Sequence, residues 1–337
     1  MADIVPLDRV KRAFQAHTFV VHDRQSSIDF LRSKDLSKSN TSRYISWMIL
    51  FNGIPEDPEL WPLTFYHIIR SYRSKLDYYL KDPNKKVFNI PKCLDDKTTD
   101  AIRSDVHRAT NWFRRFALTV GNDQKLIDDQ EIETRIVRFI CIMLSEAPQF
   151  HYNQGYERFA FVSFSLSLYL SVKLGLGLIE AEAFSVPLFR RIIGNLEIDS
   201  FLSHESSMMQ YFSDIDAYLM NTNREMMDNL MKEQISSAQF AANWVCVLFS
   251  DSHTPLSCLL IWDHFWLHQK DSKQFLNALI SAHLKQIELL EDASEQMNAI
   301  QQFGDWNVEN IIDEAENQMI QPIIRRVSVT GFTAFWL

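Results

Sequence analysis

The sequence predicts an all-α protein, and two observations support this prediction. Apolar residues recur at the spacing of one helix face in three segments, at residues 132–144, 276–284 and 308–320. No Asn-Gly or Asp-Gly turn lies between two segments of alternating apolar and polar residues, as a β-hairpin would require. We therefore expect a multi-helix protein.

The elements of the first half follow in chain order. Residues 1–38 are charged and mixed in composition, and we expect a helical extension there. Residues 81–100 are rich in Lys, Asp, Pro and Asn, which predicts a long connecting loop, and residues 121–129 form another polar break. The helix over residues 132–144 is expected to begin with acidic residues in its first turn, where the helix dipole favours carboxylates.

The longest apolar segment covers residues 159–179, with a single charge at Lys173. Its length approaches that of a membrane span, but its serines and glycines are unfavourable there, so we expect no stable membrane insertion. Apolar residues alternate with polar ones from Val162 to Val172, which is typical of a strand, although an unusually long one. Small serine and glycine residues would equally allow a helix that is packed on every side. The local pattern leaves both structures open.

The second half contains a predicted seam at residues 194–206, which would divide the protein into two helical subdomains. The main domain is expected to span residues 39–325, and residues 326–337 are predicted to be a C-terminal tail. No internal repeat occurs at a fixed period.

Composition excludes several classes of function. Only 8 glycines occur, and the one close pair, Gly175 and Gly177, lies in the apolar segment. This excludes a P-loop, a dinucleotide-binding fingerprint and a kinase glycine-rich loop, so any nucleotide must be held by another molecule. The net charge is -9 without a basic stripe, and we expect no nucleic-acid partner. The N-terminus resembles no signal peptide, which predicts a cytoplasmic protein.

Metal and hydrolase chemistry have little support. His264 and His268 stand four residues apart, as two metal ligands on a helix would, but Phe265 occupies the position of the glutamate in an HExxH motif. No third ligand is evident, so we interpret both as core or interface histidines. No GxSxG motif is present. We expect no metal site and no cofactor belonging to this chain.

Two short motifs carry the most specific signal. Their residues are Ile102, Asp105 and Arg108 in the first motif, and Tyr152, Gln154 and Gly155 in the second. Taken alone, an Asp–Arg pair at i, i+3 is a common surface ion pair. A Tyr-x-Gln-Gly sequence alone is equally compatible with a simple turn. Neither motif decides a function by itself.

Together and in this order, the two motifs resemble the IxxDxxR and YxQG motifs of the TBC domain, a helical family that activates Rab GTPases. Other stretches resemble further elements of the family. They are RYISWMILFNGIP at residues 43–55, EAF at 182–184, FAANWVCVLF at 240–249 and LIWDHFWL at 260–267. The resemblance covers about residues 39–325.

The resemblance implies a GTPase-activating protein for a Rab in its GTP state, with Arg108 as an arginine finger and Gln154 as a glutamine finger. GTP and Mg²⁺ would be bound to the Rab. Both fingers should then lie exposed on one shallow groove, with Asp105 holding Arg108 from a neighbouring helix and Tyr152 packed beneath Gln154. The remaining alternative is a TBC-type module that binds a GTPase without accelerating hydrolysis, as a scaffold or effector.

The resemblance also predicts a buried helix over residues 159–178, ended by Gly175 or Gly177 in a left-handed cap. Some positions depart from the common pattern, since Ala109 follows Arg108 and YER follows the Gly of YxQG. The sequence YNQGYER is closer to the YYQGYHD variant of members that act early in secretion. This variant would place the protein in vesicle trafficking, at the periphery of endomembranes through its Rab.

Overall fold

The computed structural model describes residues 5–80, 90, 92–123, 125, 129–196, 205–301 and 306–320. These residues contain sixteen α-helices and no strand, which confirms the all-α prediction. The helices are α1 Leu7–Ala16, α2 Arg24–Arg32, α3 Asn40–Leu50, α4 Trp61–Leu80, α5 Asp96–Thr119, α6 Asp129–Glu146, α7 Tyr156–Lys173, α8 Leu178–Leu196, α9 Glu205–Thr222, α10 Arg224–Lys232, α11 Ser237–Phe240, α12 Ala242–Cys246, α13 Pro255–Leu267, α14 Ser272–Leu284, α15 Ala293–Gln301 and α16 Val308–Ile320.

Helix α7 settles the ambiguous apolar segment in favour of the helix. It packs against α3, α5, α6 and α8, and a helix surrounded in this way satisfies its own backbone hydrogen bonds. Ser163, Ser167 and Ser171 follow one another at four-residue intervals on α7 and are all fully buried, so these small side chains allow the neighbouring helices to pack closely. Gly175 ends the helix at φ +63°, and the Leu176 N–H donates to the Ser171 carbonyl oxygen over 2.8 Å. The predicted left-handed cap is confirmed.

Helix α5 begins earlier than the composition suggested. Of the loop predicted over residues 81–100, residues 96–100 are helical, while residues 81–89 and 91 lie outside the described residues. Asp95 caps the helix, because its carboxylate accepts from the Thr98 N–H over 2.8 Å. Asp and Thr are favourable in a first turn as well as in a loop, and this is why composition alone misplaced the boundary. The helix then continues to Thr119, and residues 121–123 follow it outside any helix.

A buried carboxylate joins two helices, α3 and α13, that lie far apart in the sequence. Asp263 of α13 is fully buried and accepts hydrogen bonds from Arg43 Nε over 3.1 Å and from Trp47 Nε1 over 2.8 Å, both on α3. Lys38 Nζ reaches the same carboxylate over 3.1 Å. Burial lowers the pKa of Lys38, and Asp263 opposes this shift. The two segments that resembled separate elements of the family are therefore parts of one ion cluster.

A second buried carboxylate ties three further helices together. Glu182 of α8 is fully buried and accepts from the Tyr72 hydroxyl of α4 over 2.7 Å. Arg138 of α6 donates through Nε over 2.9 Å, and Arg135 of α6 also pairs with Glu182. Because two guanidinium groups and a hydroxyl share one carboxylate, α4, α6 and α8 have little freedom to shift.

Several predictions fall on other parts of the chain. The tail at residues 326–337 and most of the seam at residues 194–206 lie outside the described residues. Among the helices that the structure describes, none is long and apolar enough to cross a membrane.

Candidate functional site

Helix α5 carries the first motif and presents Arg108 to solvent. Ile102 is fully buried and fixes the inner face of the helix, whereas the Arg108 side chain is 64% exposed. Asp105 is buried one turn before Arg108 and forms an ion pair with its guanidinium. The expectation that Asp105 reaches Arg108 from a neighbouring helix is wrong. The i, i+3 spacing on one continuous helix already brings the two side chains together.

Tyr152 links the second motif to the first. Its hydroxyl donates to Asp105 Oδ2 over 3.0 Å, so one buried carboxylate holds both Tyr152 and Arg108. Burial, together with the nearby carboxylates Glu157 and Asp105, raises the pKa of Tyr152 far above its usual value. The hydroxyl therefore remains a donor at neutral pH. Its ring meets Tyr156 edge-on at 6.0 Å between centroids, and packing beneath Gln154 stays a prediction.

Gln154 lies on the surface, on a tight turn that leads into α7. Gly155 adopts φ +104°, a conformation that side-chain-bearing residues rarely tolerate, and its N–H donates to Glu157 Oε2 over 2.8 Å. Burial raises the pKa of Glu157. The turn thus exposes the Gln154 side chain. The backbone of the turn is fixed by the hydrogen bond from Gly155 to Glu157 in the first turn of α7.

Gly155 also lies in close contact with the C-terminal end of α12 and the residue after it. A Cβ at this position would stand 3.1 Å from Val247 Cγ1 and 3.2 Å from the Cys246 carbonyl oxygen. The backbone oxygen cannot move aside as a flexible side chain could. The requirement for glycine therefore has two causes, the positive φ and the lack of space.

We expect Gly155→Ala to lower the free energy of unfolding by about 1–3 kcal/mol, since it adds both backbone strain and a steric overlap. Urea denaturation would measure the change. The matched control is Gly194→Ala in α8, where a Cβ would meet only Phe150 Cζ at an ordinary 3.5 Å. An equal, small effect of both substitutions would contradict this reading of Gly155.

Three residues that sequence reasoning did not select also meet at this site. Arg158 of α7 donates from Nε to Asp251 Oδ1 over 2.7 Å, and its guanidinium lies 4.9 Å from the ring centre of Trp112. The Trp112 Nε1–H donates to the Ser250 carbonyl oxygen over 3.3 Å. One signal was available, because Trp112 follows Arg108 by four residues and so lies near it on α5. Nothing local pointed to Asp251.

The structure thus joins the two motifs through Asp105, which contacts both Arg108 and Tyr152. Ile102, Asp105, Tyr152 and Gly155 are buried or half-buried, while Arg108 and Gln154 are exposed. The two histidines that had the spacing of metal ligands lie elsewhere. His264 is buried in α13 and bonds Glu316 over 2.7 Å, and His268 stacks on Phe275.

Two comparisons with known proteins find similarity to this chain. A search of curated protein sequences finds no match. Among solved structures, the crystal structure of the Ypt/Rab-GAP domain of Gyp1p is similar, with a TM-score of 0.65 and 12% sequence identity over 94% of this chain and 98% of that one. At this identity the likeness concerns the fold. The sequence profile of the Rab-GTPase-TBC domain family matches residues 42–290. This match covers most of the chain, which therefore belongs to the Rab-GTPase-TBC domain family.

Proposed function

We propose that this protein accelerates GTP hydrolysis by a Rab-family GTPase in its GTP state, with Arg108 and Gln154 supplied in trans. The observation that carries the proposal is the shared anchor of the two motifs. Asp105 pairs with Arg108 and accepts from Tyr152, so the exposed Arg108 belongs to the same local unit as the exposed Gln154 two residues after Tyr152.

In this mechanism Arg108 offsets the negative charge that develops on the phosphates of GTP as the bond to the γ-phosphoryl group breaks. An arginine supplied in trans contributes roughly 10³–10⁵ in rate. The planar guanidinium can donate two parallel hydrogen bonds to phosphate oxygens. Its pair with Asp105 is largely solvent-exposed on the arginine side, and such a pair contributes little stability, so Arg108 can exchange Asp105 for phosphate.

Gln154 has the complementary role of orienting the attacking water. A carboxamide can accept from the water through its oxygen and donate through its nitrogen at the same time. GTP and Mg²⁺ belong to the Rab, and the chain brings no phosphate-binding loop of its own. This division of labour agrees with the scarcity of glycine in the sequence.

We also propose the cellular setting that the motif variant implied. The protein would act in the cytoplasm and in vesicle trafficking, at endomembranes where its Rab resides. The YYQGYHD-like sequence around Gln154 favours the early-secretory members of the family as the closest functional group.

The direct test is phosphate release from a panel of purified, GTP-loaded Rabs with and without this protein. Stimulation of at least one Rab is the expected result. Binding to a GTP-loaded Rab without any stimulation would instead support the alternative, a TBC-type module that acts as a scaffold or effector. The same panel assayed with GDP-loaded Rabs would test the preference for the GTP state.

A further inference from the structure

Trp112, Arg158 and Asp251 form a cluster that we name the clamp. It joins α5, the first turn of α7 and the turn between α12 and α13. Arg158 is central, because its guanidinium contacts Trp112 by one face and bonds Asp251 through Nε. Its side chain is only 16% exposed, and an arginine held between a ring and a carboxylate has few alternative positions.

The clamp meets α5 two turns after the anchor made by Asp105 and Tyr152. Along the chain, Gln154 stands between Tyr152 and Arg158, and both of these residues contact α5. Along α5, Arg108 stands between Asp105 and Trp112, which are the two residues that receive them. These two points of α5 are seven residues, or about 10 Å, apart. The turn that bears Gln154 is therefore fastened to the helix that bears Arg108 on both sides.

The hydrogen bonds of the clamp are incomplete within the part of the chain that the structure describes. Arg158 Nη1 is buried and has no hydrogen-bond partner among the described residues. A buried donor without an acceptor is unfavourable, and most proteins avoid it. Arg158 therefore keeps its contacts with Asp251 and Trp112 although its own guanidinium lacks one hydrogen bond.

We propose that Arg158 is a positioning residue, which fixes Gln154 relative to Arg108 through its contacts with Trp112 and Asp251. The proposal rests on the proposed function of the two fingers. A group that orients water must be held to about half an ångström, and a misplacement of about 1 Å can lower the rate about 100-fold. Without Arg158, the turn would be tied to α5 through Tyr152, on one side of Gln154 only.

The first experiment measures GTP hydrolysis by a responsive Rab as the concentration of Arg158→Gln is varied. We expect kcat to fall about 10- to 100-fold while KM changes less than about threefold, because Gln154 is displaced but the docking surface remains. Arg158→Lys keeps the charge near Trp112 and Asp251 and should recover most of the rate. The matched control is Arg73→Gln on α4. It removes a similarly buried arginine, which pairs with Glu180 of α8, and it should leave kcat unchanged.

Combining variants separates positioning from general damage. In a Gln154→Ala background, Arg158→Gln should cause no further loss, because the group that it positions is already gone. In an Arg108→Lys background the two losses should multiply. A normal kcat for Arg158→Gln, or a full additional loss on top of Gln154→Ala, would overturn the proposal.

A measurement that needs no GTPase tests the clamp independently of the proposed function. Hydrogen exchange of the backbone amides at residues 153–158 should be faster in Arg158→Gln than in the unmodified protein and in Arg73→Gln. Unchanged exchange would refute the clamp even if the protein is a potent activator. Faster exchange in a protein that stimulates no Rab would leave the clamp supported as a structural tie and would refute the proposed function instead.

Discussion

Arg108→Lys is expected to reduce the stimulated rate of GTP hydrolysis by roughly 10³- to 10⁵-fold. Lysine keeps the positive charge and can still pair with Asp105, but it lacks the planar group that donates to two phosphate oxygens at once. The loss should appear in kcat, since the missing interaction forms only as charge develops on the phosphates. Single-turnover phosphate release from a responsive Rab would measure it.

Two controls accompany this substitution. Affinity for the GTP-loaded Rab should be largely retained, because a protein interface buries about 800 Å² on each partner and Arg108 is one side chain of it. Arg103→Lys, on the same helix and 53% exposed, should leave the rate unchanged. Equal stimulation by the unmodified protein and by Arg108→Lys would remove Arg108 from the mechanism.

Asp263→Ala is expected to lower the free energy of unfolding by about 3–5 kcal/mol. The substitution leaves Arg43 buried without its carboxylate and removes the acceptor of the Trp47 indole N–H. Lys38 can respond by losing its proton, since burial already lowers its pKa, but arginine does not deprotonate in proteins. Urea or thermal denaturation would measure the loss.

A suitable comparison is Asp313→Ala, which breaks the exposed ion pair with Lys34. Its side chain is 58% exposed, and a pair of this kind contributes about 0–1 kcal/mol. If Asp263→Ala were as mild as Asp313→Ala, the buried cluster would not be the main tie between α3 and α13.

The fold was largely predictable because its evidence is local. Apolar periodicity identified the helices around residues 132–144, 276–284 and 308–320, and all three are present. Helix α7 was harder, since its alternation fits a strand. The resemblance to the family predicted the helix, and the buried Ser163, Ser167 and Ser171 of the structure stand at a spacing that suits close packing of helices.

The site was predictable only in part, because its contacts span long stretches of sequence. Arg108 and Gln154 belong to recognisable motifs, and the structure exposes both. The hydrogen bond between Arg158 and Asp251 joins residues that are 93 positions apart in the sequence. Neither residue belongs to a motif that would predict the other as its partner. The prediction that Asp105 and Arg108 lie on neighbouring helices was wrong for a different reason. Whether they share a helix depends on how far α5 extends, and the motif alone does not show this.

The ion cluster at Asp263 also has a consequence for synthesis on the ribosome. Arg43 precedes its carboxylate by 220 residues, and at 5–20 residues per second the two leave the ribosome about 10–45 s apart. All residues of the candidate site and most of the helices that hold them are made before Asp263, yet α3 lacks its buried counter-charge until then. During synthesis, the surface of α3 that contacts Asp263 in the finished protein therefore stays uncovered until α13 has been made. Any shortened version of the protein that keeps both fingers but stops before α13 would remain in that unfinished state.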